Sequence, residues 1–391
     1  MNAEAGIGTG LDWREALDEA LGGLPALAGS AGVDLALLFA SADYAADYAE
    51  LLAAAQKALG ARCLIGCSGQ GVIGRDREVE HEPAISVLAF SLPGVELHAL
   101  HLEEEEIEDE AATAALIQEG VEHSEVKAWL LFADPFSFDA DRLLALLVGS
   151  YPGAPLVGGL ASGDFGRQQT FLFLGGQVFD QGAVALAIGG PYRVQTVVSQ
   201  GAEPIGETWT ITSVQGNLVE TLGMRPAVDI LLETFRALTP ETQERARTNL
   251  LVGLAMDEYR DEFGRGDFLI RNLMGIDRER GAIAIGAMPR VGQTLQFQLR
   301  DPAAADADLV ELLGRAKSEL AGQTPAGALL CSCNGRGIGL FGAPDHDART
   351  VSEILGPLPL AGFFCNGEIG PVGGKPFLHG FTASIALILP A

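Results

Sequence analysis

One pattern recurs three times in this chain. A short apolar strand is followed by a helix, a second apolar strand and a glycine-rich turn. The first copy runs VDLALLFAS (Val33–Ser41), a helix over 42–59, then RCLIGCSGQGVIG (Arg62–Gly74). The second runs VKAWLLFADP (Val126–Pro135), a helix to Gly149, then APLVGGLASGD (Ala154–Asp164). Gly66 and Gly158 hold the same place in the two, 158 − 66 = 92 residues apart. The third copy lies in Gly327–Pro371, where LLCSCNGRG matches LLFAS and LLFADP, and AGFFCNGEIG matches LIGCSGQG and LVGGLASG. Such a repeat constrains the fold more than composition does.

The apolar runs suit strands buried on both faces, and a helix between two of them suits parallel pairing. The strands that follow the turns (Ala84–Leu92, Val95–Glu103, Gly182–Gly190, Tyr192–Gly201, Phe381–Leu389) suit antiparallel pairing. The expectation is an α/β fold of mixed sheets layered with helices, built from repeated strand–helix–strand–strand units, with α-β-β-α layers as one arrangement. The strands NLLVGLAMDE, DFLIRNLMGID, GAIAIGAMP and QTLQFQLRD read as the antiparallel strands of the third copy, placed before it. Trp13–Ala28 reads as an amphipathic helix. The domain division expected is an N-terminal helix over 1–29, a duplicated region over 30–222 and a final region over 223–391.

The net charge of −27 disfavours nucleic acid and anionic membranes as partners, because both need basic patches. No run of 18 apolar residues and no signal peptide is evident, so a cytoplasmic protein is expected. Five cysteines without CxxC spacing or nearby histidine pairs give no metal site, and no cofactor motif is present: GxGxxG after the first strand, GxxxxGK[ST] and GxSxG are all absent. The run Glu103–Glu106 reads as a solvated helix cap.

The two turns of the third copy carry charge, Arg336 and Glu368, where the earlier copies mostly do not. An arginine fork fits a carboxylate, and a glutamate can take an ammonium, so the pair suits an amino acid or similar zwitterion. Equally, the two can pair with each other and hold the turns in register. Asn334-Gly335 and Asn366-Gly367 are turn signals. Cys67, Cys331, Cys333 and Cys365 are candidate thiol nucleophiles and equally candidates for inert burial.

Together LIGCSGQGVIG, LVGGLASGD, LLCSCNGRG, GFFCNGEIGP and the FLHGFT segment (Phe377–Thr382) resemble the FIST domain proteins, N-terminal and C-terminal regions both, over roughly Val33 to Leu389. The resemblance implies a sensory protein for a small ligand, with amino acids or their derivatives proposed for the family. By motif position it points to Cys67, Ser68, Gly158, Gly159, Asp164, Cys333, Arg336, Gly367, Glu368 and His379. Asn334 and Asn366 join them as ligand contacts. The family's usual Asn and Gln after the histidine are replaced here by Gly380 and Phe381. No signalling segment is appended, so output is expected through a separate partner or self-association. The alternative to a non-catalytic sensor is a hydrolase using Cys333, Cys67 or Ser68.

Overall fold

A computed structural model describes residues 1–25, 27, 32–121, 125–164, 166–260, 262–264 and 266–391. The chain divides into two compact units. The first comprises Met1–Val198, Leu309–Leu378 and Thr382–Ala391; the second is Ser199–Asp308 with His379–Phe381.

The first repeat is β1 (Asn2–Thr9), α1 (Trp13–Gly22), β2 (Leu35–Ser41), α2 (Tyr48–Leu59), β3 (Cys63–Gly69), the hairpin β4 (Val72–Gly74) and β5 (Arg77–Val79), and β6 (Ala84–Ser91). The second repeat keeps that plan: β7 (Glu96–Leu102), α3 (Glu104–Ile107) and α4 (Glu110–Val121), β8 (Ala128–Ala133), α5 (Ala140–Ser150), β9 (Leu156–Leu160), the hairpin β10 (Leu172–Leu174) and β11 (Gln177–Phe179), and β12 (Ala183–Gly189). The third begins with β13 (Tyr192–Gln200) and is then interrupted.

The interruption is β14 (Ala202–Gln215), β15 (Leu218–Leu222), β16 (Arg225–Pro226), α6 (Ala227–Ala237), α7 (Pro240–Asn249), β17 (Leu250–Ala255), β18 (Phe268–Asp277), β19 (Ala282–Ile285) and β20 (Thr294–Arg300). These strands form the second unit's own sheet, β14-β20-β17-β18-β19-β15-β16, which closes on itself through a β14–β15 pairing. Val228, Ile230 and Leu231 of α6 pack into its core with Val252, Leu295 and Phe297. The four strands expected to belong to the third repeat are thus a separate body. That repeat carries strands of its own: α8 (Pro302–Glu319), β21 (Gly327–Cys333), α9 (Ile338–Phe341) and α10 (His346–Leu355), β22 (Leu360–Cys365), the hairpin β23 (Gly367–Val372) and β24 (Lys375–His379), and β25 (Thr382–Pro390).

Three six-stranded sheets follow, in one common order. They are β1-β6-β2-β3-β10-β11, β7-β12-β8-β9-β23-β24 and β13-β25-β21-β22-β4-β5. In each, the two central strands are parallel, as the intervening helix requires. The hairpin at the edge always comes from a different repeat: β10–β11 joins the first sheet, β23–β24 the second and β4–β5 the third. The inner faces of all three sheets share one core, where Phe39, Phe132 and Phe363 meet at centroid distances of 4.9–5.8 Å. The outer faces are covered by α1 and α2, by α4 and α5, and by α8 and α10 respectively.

The repeated glycine has a steric cause. A Cβ at Gly66, Gly158 or Gly362 would lie 1.7–1.9 Å from the carbonyl oxygen of Leu38, Leu131 or Leu330 on the neighbouring parallel strand. Each glycine faces a residue of the imported hairpin: Phe173, Ile369 and Ile73 in turn.

Several local expectations change. Asn2–Thr9, within the expected helical N-terminus, is a strand paired to β6. The expected helix Trp13–Ala28 ends at Gly22, and residues 26 and 28 lie outside the described residues. The Ser41 Oγ accepts the amide of Ala84. Gly60 ends α2 in the left-handed conformation. The Glu103–Glu106 run forms a capping box at α3. Among the described residues no helix is long and apolar enough to cross a membrane.

Candidate functional site

The common plan makes equivalent positions comparable, and the third repeat departs from the other two at the core. Aligning the hairpin residues that face the three glycines puts Val72, Leu172 and Glu368 at one position. All three are wholly buried. Aligning the central parallel strands puts Phe39, Phe132 and Cys331 at another. A carboxyl and a thiol therefore stand where the other repeats bury apolar side chains.

Glu368 is held by few donors. Its Oε2 accepts the Thr382 amide at 3.0 Å, and its Oε1 lies 3.4 Å from Cys365 Sγ. Cys333 also hydrogen-bonds to this carboxyl. Burial pushes its pKa up to about 8, against the lowering effect of those donors and of the Arg336 charge. The group is thus mostly protonated at neutral pH. Cys365 is buried too, its Sγ 3.2 Å from the Ser332 carbonyl, and burial raises its thiol well above the ordinary range.

Arg336 is 1% exposed, on the turn that follows β21. It pairs with Asp347, not with Glu368. Its Nε and Nη2 donate to Asp347 Oδ2 and Oδ1 at 2.7 and 2.8 Å, a bidentate pair. Asp347 also accepts Ser332 Oγ at 2.9 Å and meets His346 Nδ1 at 2.9 Å. Burial alone would raise the Asp347 carboxyl, but the guanidinium overrides it and holds the group below the carboxylate range. Among the described residues Arg336 Nη1 has no hydrogen-bond partner. The guanidinium lies 5.2 Å from the Phe341 ring, on which His346 stacks at 3.4 Å.

The imported hairpin of the first repeat completes the cluster. Glu78 on β5 accepts the Ala348 amide at 2.9 Å through Oε1, while its Oε2 has no partner among the described residues. Burial first, and the nearby Asp347 charge second, push it up to about 8. Glu80 accepts the Ile338 amide at 2.8 Å, and burial raises its carboxyl as well. Asp347, Glu78, Glu80 and Ser332 were not singled out from the sequence. Only Asp347 had a local signal, in the first turn of the helix after Pro344.

The other sequence candidates are distributed as follows. Asn334 and Asn366 bond to each other at 2.9 Å, and Asn366 Nδ2 reaches the Ala161 carbonyl at 3.0 Å, so the pair ties two repeats together. Ser68 is wholly buried; its Oγ donates to the Ser162 carbonyl at 2.7 Å and accepts the Phe171 amide at 2.9 Å. Cys67 is buried against the aromatic core, and burial raises its thiol. A Cβ on Gly159 would lie 3.2 Å from Cys365 Sγ, so that glycine leaves room beside the thiol. Gly367 opens β23, opposite Leu160. Asp164 is spent on its own turn, accepting the Arg167 amide and pairing with its side chain. His379 belongs to the second unit. Among the described residues, no group of three metal-ligating side chains converges.

The family model for the FIST N domain matches residues 34–225, and that for the FIST C domain matches 227–371. The chain belongs to the FIST family. FIST domains are associated with small-ligand binding in sensory and signal-transduction systems. An uncharacterized protein of Mycobacterium tuberculosis (strain H37Rv) is 41% identical over 397 residues, covering all of both chains. One from Mycobacterium bovis is 38% identical over 390 residues, covering 100% of this chain and 99% of its own. A crystal structure of a cyanuric acid hydrolase from A. caulinodans covers 100% of this chain and 99% of its own, at 11% identity and a TM-score of 0.36, too distant a likeness to bear on function. The FIST boundary at 225–227 does not coincide with the division into compact units.

Proposed function

We propose that this FIST protein is a cytoplasmic sensor that binds an amino acid or similar small metabolite at the turns after β21 and β22, and passes the signal to a separate protein. Arg336 offers Nη1 to the ligand carboxylate while Asp347 fixes the other two nitrogens. Glu368 takes the ammonium. It is protonated when the site is empty, so an incoming cation must displace its proton. The half-exposed residues Cys333, Asn334, Gly335 and Asn366 form the approach.

The observation that carries this reading is Glu368 in the place of Val72 and Leu172. A buried carboxyl costs stability that an apolar side chain would supply, and such groups concentrate where a protein binds or reacts. The test is thermal shift with a panel of amino acids and their derivatives, followed by calorimetry of any hit at several pH values. A ligand that binds the folded state raises Tm. Its affinity should rise about tenfold per pH unit up to pH ~8, with proton release. If nothing in the panel raises Tm, or if Glu368→Gln binds a hit as tightly and with the same pH dependence, the reading fails.

A further inference from the structure

We propose that Cys333 and Cys365 are a two-electron thiol switch, in which a peroxide oxidises Cys333 and Cys365 closes a disulfide across the sheet. The two cysteines are paired directly in the parallel register of β21 and β22. Neighbouring strands stand about 4.8 Å apart and paired residues point to one face, which lies within the disulfide Cα range of roughly 4.4–6.8 Å. Both sulfurs also hydrogen-bond the same carboxyl, Glu368, so both already converge on one point.

Their surroundings divide the labour. Cys333 is half-exposed at the strand end. The Gly335 amide donates to its Sγ at 3.4 Å, and it lies within electrostatic range of the Arg336 guanidinium. A backbone donor, a cation and partial exposure are what a reactive thiolate needs. Cys365 is buried and cannot meet a reagent first. It is placed to resolve.

The chemistry balances with hydrogen peroxide as oxidant. The Cys333 sulfur attacks a peroxide oxygen; the S–O bond forms, the O–O bond breaks, and the departing hydroxide takes the thiol proton as water. The Cys365 sulfur then attacks the sulfenic sulfur of Cys333; the S–S bond forms and the S–O bond breaks. Glu368 relays the proton. It receives hydrogen from Cys365 at Oε1 and gives its own to the leaving hydroxide, so the carboxyl is unchanged. Two thiols and one peroxide give one disulfide and two waters.

The disulfide also takes both thiol partners away from Glu368. If that carboxyl meets a ligand ammonium, oxidation state and ligand affinity are coupled. This coupling rests on the proposed ligand reading; the disulfide itself does not.

The experiment treats the full-length protein with hydrogen peroxide, alkylates the remaining thiols in denaturant and maps the linkages by non-reducing mass spectrometry with fragmentation. Accessible thiols should fall from five to three, with Cys333 linked to Cys365. In Cys365→Ser, dimedone should trap a sulfenic acid on Cys333, formed roughly tenfold faster than any on the half-exposed Cys63. Cys63→Ser should leave the linkage unchanged. A wild-type protein without this linkage would overturn the proposal whatever the variants do. So would a linkage of Cys365 that survives in Cys333→Ser, or labelling of Cys63 ahead of Cys333.

Discussion

Replacing Glu368 with glutamine should stabilise the fold in a pH-dependent way. The side chain is wholly buried. Its carboxyl moves from an ordinary 4.5 to about 8 on folding, chiefly through burial. The sign follows from linkage. A carboxyl whose folded pKa is raised favours the folded state fully below pH ~4.5, and that contribution is lost as pH climbs toward ~8. By pH 7 the unfolded chain has released this proton and the folded protein has mostly kept it. At about 1.4 kcal/mol per unit, the penalty at pH 7 is about 3 kcal/mol, most of which develops between pH 5 and pH 7. Glutamine keeps the shape and the acceptor for the Thr382 amide but does not titrate. The stability gap between Glu368→Gln and wild type should therefore widen by roughly 2–3 kcal/mol over that range. Guanidinium unfolding of both proteins at pH 5, 6 and 7 measures the gap directly. Parallel stability curves would show that Glu368 ionises normally in the folded protein, and the argument from burial would be wrong.

Glu78→Gln should show the same sign over the same window, since Glu78 is also pushed up to about 8; pH-dependent unfolding again reads it. Asp347→Asn leaves the buried Arg336 charge uncompensated and should cost about 3–5 kcal/mol, with most of the loss recovered when Arg336→Met is added; a double-mutant cycle tests both halves. Gly66→Ala, Gly158→Ala and Gly362→Ala each drive a methyl into a carbonyl oxygen. All three should destabilise at or beyond the upper end of the roughly 1–3 kcal/mol usual for overpacking, and a near-native melting temperature in any one would break the steric account.

The repeats were readable because their signals are local. Strand, helix, strand and a glycine forced by a neighbouring carbonyl recur at short range. Gly66 and Gly158 were given equivalent places for that reason, and Gly362 takes the same place within β22. The charged third copy was also visible in Arg336 and Glu368. The partners of those two were not. Glu78 and Glu80 reach α9 and α10 only because a hairpin is handed from the first repeat to the third sheet, and strands as short as Val72–Gly74 and Arg77–Val79 carry no mark of where they pair. β1 was missed because NAEAGIGT holds two glycines and a glutamate. Those glycines serve packing: a Cβ on Gly6 or Gly8 would strike the backbone of α1 at Ala20 or Ala16. The interruption of the third repeat by a separate sheet was misread because its strands adjoin that repeat in sequence.

The handing of hairpins between repeats bears on how the chain can be made and cut. During synthesis β4–β5 emerges long before its acceptor strand β22. The second sheet, conversely, stays open at β9 until β23, translated long after it, arrives. The FIST N and FIST C regions are therefore reciprocal donors. A fragment ending near residue 225 would carry one hairpin with no acceptor and one sheet with a bare edge, the two features that recruit other chains into aggregates.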